Sequence, residues 1–376
     1  MIQPLPNFSK LSPSVIRILG LNPGKFTLQG TNTYLIGTGT ERILLDTGEG
    51  LPEYLSLLSQ TLKELGGAEN IRISDILISH WHHDHIGGVE GIIKYTEETL
   101  RHAPPNVHKN PDPKHDSTYH FPLHPITENQ IFKTQGATLR AIHTPGHTED
   151  HMAFYLEEEK VLFTADCVLG EGTTVFTDLK AYLESLEKLR RVIGGSDKSD
   201  NARIYPGHGP VVENGDEKLE EYILHRKQRE QEILDILENS DDNGITPREI
   251  VKILYANYPE EVWLAAEQNV ILHLLKLESD GKDSFFYNKT YRSLTIPFPS
   301  PRLATIAARV LSVDKELKSN EVLRTIHAKD EELLVEFKCS SVRMLRVSVN
   351  SLMDMVIMVT RTMDVFDGWT PGELDK

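Results

Sequence analysis

The sequence predicts an α+β protein in three consecutive parts: sheets flanked by helices over residues 1–215, three helices and a wing over 216–291, and a small α+β unit over 292–376. Three observations carry this. Short β-branched runs, each followed by histidine or aspartate, recur as far as Tyr205; charged stretches with apolar residues at helical spacing fill the middle; beyond Ser293 strand and helix patterns alternate again. A chain of 376 residues is too long for one core, which agrees with several domains. Hydrophobic residues at 39% and charged residues at 26% exclude a disordered or low-complexity chain.

The first part opens with a hairpin, because TYLIGT and RILLDT, between Thr33 and Thr47, flank a Gly-Thr-Gly-Thr turn. Asp75 to Ser79 is a short buried strand that runs straight into His80, and Gly87 to Leu100 has helical spacing, so a histidine cluster lies on the loop between them. Thr138–His143, Met152–Tyr155 and Val161–Ala165 read as strands, Asp178–Val192 as a helix, and Ala202–Tyr205 as a last strand ending in Pro-Gly-His-Gly-Pro. Each histidine or aspartate cluster thus follows a strand, where loops on a rigid sheet carry function.

From Asp216 to Glu238 a charged helix carries Leu219, Ile223, Ile233 and Leu237, and the chain breaks at Asp241–Gly244, which places a domain boundary near Gly215. Thr246-Pro247 supplies a cap and a first-turn proline for a second helix; Glu261–Glu278 forms a third; Gly281 and Phe285–Tyr287 make the wing. In the last part LTIPF reads as a strand, Arg302–Leu311 as a helix, Glu332–Lys338 as a strand and Val342–Met363 as a long helix. That helix carries Leu345, Val349, Leu352, Val356 and Val359 as an apolar stripe, which serves either packing on its own sheet or self-association.

Forty basic against fifty-six acidic residues give a net charge of -16, which repels nucleic acid at long range, so an RNA substrate requires a local basic groove. Residues 292–376 hold twelve basic and twelve acidic side chains, so all of the excess lies upstream. Two cysteines, Cys167 and Cys339, make no disulfide framework and point to a reducing compartment. Met1–Lys10 lacks signal-peptide character and no apolar run spans a membrane, so the expectation is a cytoplasmic protein with no membrane partner. Mitochondrial and nuclear locations stay open.

Sixteen histidines gather around glycine and aspartate, which points to metal. The strongest signal is His80-Trp81-His82-His83-Asp84-His85: one tight loop offers imidazole and carboxylate ligands of the kind zinc takes, aiming some at one ion and their neighbours at another. His147 in Thr-Pro-Gly-His-Thr, Asp166 in Thr-Ala-Asp and His208 in Pro-Gly-His-Gly supply the rest, and Asp46 in Leu-Leu-Asp-Thr-Gly orients ligands from behind. His83 and His151 read as exposed or structural histidines, and His102, His108, His115, His120 and His124 as members of a Pro-rich solvated connection.

The motifs LLDTG, HWHHDHIGG, HTPGHT, FTADCVLGEGTTVF and YPGHGP make residues 1–212 resemble the metallo-β-lactamase superfamily. With the HRKQREQEIL helix and the winged unit, the chain to about Tyr291 is similar to the β-lactamase-like protein 2 endoribonucleases. The resemblance implies an αββα sandwich holding two zinc ions, His80, His82 and His147 on one, Asp84, His85 and His208 on the other, with Asp166 bridging them. Such a pair lowers the pKa of a bridging water toward about 7, so that hydroxide attacks while Asp84 accepts the proton. The acid for the leaving group is either His151 or a metal-bound water.

The same chemistry cleaves phosphodiesters, thioesters and lactams. Single-stranded RNA is the expected substrate, with Lys252, Lys276, Lys282, Lys289 and Arg292 toward phosphate and Phe285, Phe286 and Tyr287 stacking on bases. A thioesterase of glyoxalase II or polyketide type is the alternative. Residues 293–366, through IPFPSPRLATIAARVLSVDKEL and SVRMLRVSVNSLMDMVIMV, resemble Pcc1, the small subunit of the KEOPS complex of tRNA threonylcarbamoyladenosine synthesis. This implies a non-catalytic homodimerising module that docks a Kae1-type subunit, with Arg343 and Arg346 as contacts. A purely assembling protein is therefore a third reading. Members of each family usually stand alone, so the chain is either a fusion or two joined reading frames.

Overall fold

The computed structural model describes residues 4–67, 71–194, 202–240, 245–280, 290–313, 322–339 and 342–366. It divides into two compact units, Met1–Gln228 and Arg229–Lys376.

The first unit is built on two sheets. Seven strands, β1 (Phe8–Lys10), β2 (Val15–Leu19), β3 (Asn32–Ile36), β4 (Glu41–Leu45), β5 (Arg72–Ile78), β6 (Asn106–Lys109) and β7 (His124–Pro125), lie side by side in chain order. They are antiparallel as far as β4 and parallel beyond it. Five more form the second sheet in the order β12-β11-β10-β9-β8: β8 (Ile131–Thr134), β9 (Ala137–His143), β10 (Met152–Leu156), β11 (Val161–Ala165) and β12 (Ile204–Pro206). The two-residue period of a strand sends alternate side chains to opposite faces. Tyr34, Ile36, Ile43, Leu45 and Leu77 therefore meet Leu139, Met152, Phe154 and Phe163 between the sheets, in one core cluster. Leu35, Leu44, Ile76 and Ile78 belong to the other face.

That outer face is covered by α1 (Pro52–Gly66) and α3 (Val89–Lys94), whose Tyr54, Leu58, Leu62, Val89 and Ile92 close a second cluster with them. Each fully buried aliphatic side chain contributes about 1.5–3 kcal/mol, and proline in the first turn of α1 starts that helix without losing a bonded N–H. A one-turn helix, α2 (His83–Ile86), precedes α3, and the expected Gly87–Leu100 helix ends in a π-helical turn, Tyr95–Thr99. Between β6 and β7 lies α4 (Pro113–Asp116). On the second sheet, Ala153, Leu162 and Ile204 face away from the inter-sheet core and are still buried. The amphipathic α5 (Leu179–Ile193), capped by Asp178, buries Tyr182, Leu183, Leu186 and Leu189. The first unit is thus the expected sandwich of two sheets with helices outside.

The expected boundary near Gly215 coincides with the start of α6 (Gly215–Glu238), but the two compact units part inside this helix, after Gln228. In its first half Leu219, Tyr222 and Ile223 are buried; in its second half Ile233, Leu234 and Leu237 join a separate core with Ile250, Val251, Val270, Leu274 and Leu277. Those come from α7 (Pro247–Leu254) and α8 (Trp263–Ser279). Thr246 caps α7 reciprocally with Glu249. Thr246→Ala is expected to cost the second unit about 1 kcal/mol, measurable as a lower urea midpoint with an unchanged slope.

The wing residues Phe285–Tyr287, with Lys282 and Lys289, fall outside the described residues. Lys276 is engaged by Glu230 at 2.7 Å and Asp280 at 2.8 Å, whereas Lys252 is exposed. The last part is an antiparallel sheet, β13 (Thr290–Pro297), β15 (Glu332–Cys339) and β14 (Val322–Lys329) in that order, packed against α9 (Pro301–Val313) and α10 (Val342–Phe366). Strand β14 is not among the expected elements. Its half-buried positions Arg324, Ile326 and Ala328 alternate with exposed ones, too little apolar surface to announce a strand. On α10, Leu352, Val356 and Val359 sink into this unit's own core, while Val347, Met353, Ile357 and Met358 are exposed.

Candidate metal centre

Strand ends of both sheets converge on one edge of the sandwich. Asp46 follows β4, His80 follows β5, His147 lies on the loop after β9, Asp166 follows β11 and His208 follows β12. The one-turn α2 turns Asp84 and His85 inward and leaves His83 exposed. The close approach is possible because position 207 is glycine: a Cβ there would lie 2.5 Å from Asp166 Oδ1 and 3.1 Å from the His85 ring. Asp46 and Ala165 sit at φ of 59° and 42°, left-handed backbone that non-glycine residues adopt at a cost of about 1–3 kcal/mol and that tends to mark functional sites.

The side chains form two adjoining groups, His80, His82, His147 with Asp166, and Asp84, His85 with His208, the ligand atoms of each lying within 4.8 Å of one another. In the first, His80 Nε2 and His147 Nε2 lie 2.9 and 3.1 Å from His82 Nδ1, and 3.9 and 3.7 Å from Asp166 Oδ2. In the second, His85 Nε2 and His208 Nε2 each lie 3.3 Å from Asp84 Oδ2, and 3.3 and 3.2 Å from Asp166 Oδ1. Asp166 therefore turns one oxygen to each group. Ligand atoms 2.0–2.2 Å from a shared tetrahedral ion lie about 3.4 Å apart, the spacing seen in the second group.

The far nitrogens of His80, His85 and His147 are fixed by hydrogen bonds, whereas His208 Nδ1 is buried without one among the described residues. Asp46 accepts from the Ser79 backbone N–H, the Ser79 hydroxyl and His85 Nδ1, all at 2.8 Å. The Ser79 oxygen in turn accepts from His80 Nδ1 at 2.9 Å, and the Val175 carbonyl from His147 Nδ1 at 2.6 Å. In each ring the proton on Nδ1 leaves the Nε2 lone pair directed into the site. Thr31 donates to Asp84 Oδ2 at 3.2 Å.

The electrostatics match this arrangement. Burial, reinforced by the neighbouring histidines, pushes His80 well below its usual value, and burial pushes His82 down to about 4. Burial alone would also lower His85 and His208, yet the surrounding carboxylates outweigh it, raising His85 well above the usual range and His208 to about 9. Burial would raise Asp84 and Asp166; the histidines facing them outweigh it and hold both well below the carboxylate range. Neutral His80 and His82, ionised carboxylates, and a demand for positive charge between Asp84 and Asp166 that raises His85 and His208 are what a divalent cation would answer. His85 Nε2 and Asp166 Oδ1 are moreover buried without a well-aligned hydrogen bond. The residues fit a metal.

The groups open onto a cleft of 540 Å³, lined also by Lys25, Phe26, Leu28, Leu169, Glu171 and Val175. Phe26 is 72% and Val175 62% exposed, unusual for apolar side chains beside a polar site. His151 does not reach this cleft: it is fully buried, its ring 5.2 Å from that of His80, and its Nδ1 bonds Thr144. That fits its reading as a structural histidine and leaves it unable to protonate a leaving group directly. Ser79, Thr31 and the Val175 carbonyl escape sequence reasoning, since single hydroxyls and backbone groups carry no spacing signal.

A sandwich with His/Asp clusters at its strand ends defines a metal-dependent hydrolase. Residues 26–208 match the family described as Metallo-beta-lactamase superfamily, residues 246–282 the Beta-lactamase associated winged helix domain, and residues 291–364 Transcription factor Pcc1. The Beta-lactamase-like protein 2 homolog of Drosophila melanogaster is 45% identical over 281 residues, 74% of this chain and 92% of that protein. The chain belongs to the metallo-β-lactamase superfamily. The Atrochrysone carboxyl ACP thioesterase nsrC of Aspergillus novofumigatus is 39% identical over 292 residues, 75% of this chain and 84% of that protein. In fold, a metallo-beta-lactamase family protein of Thermus thermophilus superposes with a TM-score of 0.52 at 23% identity, over 72% of this chain and 95% of that one. Among the described residues no helix is long and apolar enough to cross a membrane.

Proposed function

We propose that this hydrolase is a di-zinc endoribonuclease that cleaves single-stranded RNA. The division of Asp166 between two His/Asp groups carries the two-metal part of this reading, and Lys25 beside the exposed Phe26 at the cleft carries the choice of RNA. His80, His82 and His147 would hold one zinc ion and Asp84, His85 and His208 the other, and the pair would supply Lewis acidity, lowering the pKa of water toward neutrality and offsetting negative charge on phosphorus. The chain's own residues do the rest. Asp84 lines the cleft, holds the attacking water and takes its proton, while Thr31 fixes the carboxylate. Lys25, at 5.9 Å from the Phe26 ring centroid, offers a phosphate contact beside an exposed ring on which a base stacks. The likeness to the Beta-lactamase-like protein 2 homolog supports this reading.

The alternative, thioester hydrolysis, draws on the apolar walls of Leu28, Leu169 and Val175 and on the relative named as an ACP thioesterase. The Pcc1 segment, in the same proposal, docks a Kae1-type subunit or a second copy through the exposed face of α10, which carries Arg346; the Arg343 side chain is outside the described residues. The test is cleavage of a labelled single-stranded RNA and of an acyl thioester by the zinc-loaded wild type and Asp84→Ala. RNA cleavage falling at least about 10²-fold in the variant is the expected result. Thioester turnover without RNA cleavage would replace the RNA reading with the thioesterase one.

A further inference from the structure

We propose that Lys109 and Asp150 are positioning residues for the first metal position, tying the two sheets together beneath His80, His82 and His147. This rests on the metal reading above. His80 and His82 hang from the first sheet, His147 from a loop of the second, and His80 Nε2 and His147 Nε2 come to 2.9 and 3.1 Å from His82 Nδ1, the latter across the gap between sheets. The apolar core between the sheets is non-directional and sets no such register by itself. The ties that do so are polar.

Lys109, at the end of β6 in the first sheet, is 1% exposed, and its Nζ lies 2.8 Å from both Asp150 Oδ2 and Asp116 Oδ1. Asp150 is buried too, on the loop of the second sheet, three residues beyond His147. Its other oxygen accepts from Thr148 at 2.7 Å, and its backbone carbonyl accepts from Asn110 Nδ2 at 3.1 Å. The segment just after His147 is thereby fastened to the end of the strand beside the one that delivers His80. A buried ammonium is tolerated only where such partners meet it. The second group has a separate tie, Asn32 Nδ2 donating to Pro206 O and Gly209 O at 2.9 Å each, so disturbance of Lys109 acts on one position and spares the other.

The test is zinc retained by the full chain after dialysis against a competing chelator, for wild type, Lys109→Met and Asp150→Asn. The asparagine keeps the shape of the site and guards against simple misfolding of the methionine variant, with circular dichroism as the check. Wild type is expected to keep two ions and both variants to hold one of them about 10- to 100-fold more weakly. Added to His147→Ala, Lys109→Met is expected to change nothing further; added to His208→Ala, it removes the remaining ion. Retention unchanged, or both ions lost in parallel, overturns the inference. If wild type itself holds fewer than two ions, the metal reading fails on that arm alone. The tie is then read from amide hydrogen exchange of residues 144–151 in metal-free protein. Faster exchange in Lys109→Met with β10 unchanged supports it, and equal exchange overturns it.

Discussion

Asp166→Ala is expected to strip both metal positions in one step and to lower hydrolysis by about 10³-fold or more, as residues acting as one unit do. The reason is its geometry. One oxygen lies 3.7–3.9 Å from the first group's nitrogens and the other 3.2–3.3 Å from those of the second. No other side chain among the described residues belongs to both sets. His147→Ala, by contrast, removes one ligand of one position and is expected to leave the second ion in place. Metal analysis with turnover of the same RNA substrate separates the cases. An Asp166→Ala protein that kept one ion and ordinary turnover would show that the carboxylate is not shared.

The site was more legible in the sequence than the frame around it. His80, His82, Asp84, His85, His147, Asp166 and His208 stand in short motifs whose residue types admit few other uses, and each motif comes after a run that reads as a strand in the sequence. What failed to show were elements whose side chains carry little apolar signal. Strand β6 is four residues long with Val107 its only aliphatic side chain, and the segment around it, expected as a solvated connection, instead places Lys109 in the interior and stacks His115 on Trp81 at 3.7 Å. Lys109 illustrates the cause: a lysine read alone is a surface residue, and only the arrival of Asp116 and Asp150 from distant positions makes its burial tolerable. The division of α6 between two units was hidden for a similar reason, because its apolar residues keep one helical period while the cores they enter change. The stripe on α10 pointed correctly to an apolar face and left open what it meets; its inner residues meet their own sheet.

Removing metal with a chelator is expected to lower the melting temperature of the first unit by about 15–30 °C while the second unit melts where it did. Two ions present at a thousand times their dissociation constants stabilise the folded state by about 4 kcal/mol each, and a domain of this size shifts by about 2–4 °C per kcal/mol. The separation between units follows from composition. Both clusters and all the residues that orient them lie within Met1–Gln228, whereas the cores of Arg229–Lys376 rest on aliphatic and aromatic side chains and a single cysteine, Cys339. Calorimetry with and without chelator therefore reads two transitions, only one of them sensitive to metal. Equal shifts in both would mean that the units unfold as one, and no shift in either would mean that the His/Asp groups carry their charge without an ion. The second outcome would contradict the hydrolase as well, since the carboxylates of Asp84 and Asp166 would then be balanced inside the protein by protonated His85 and His208 alone.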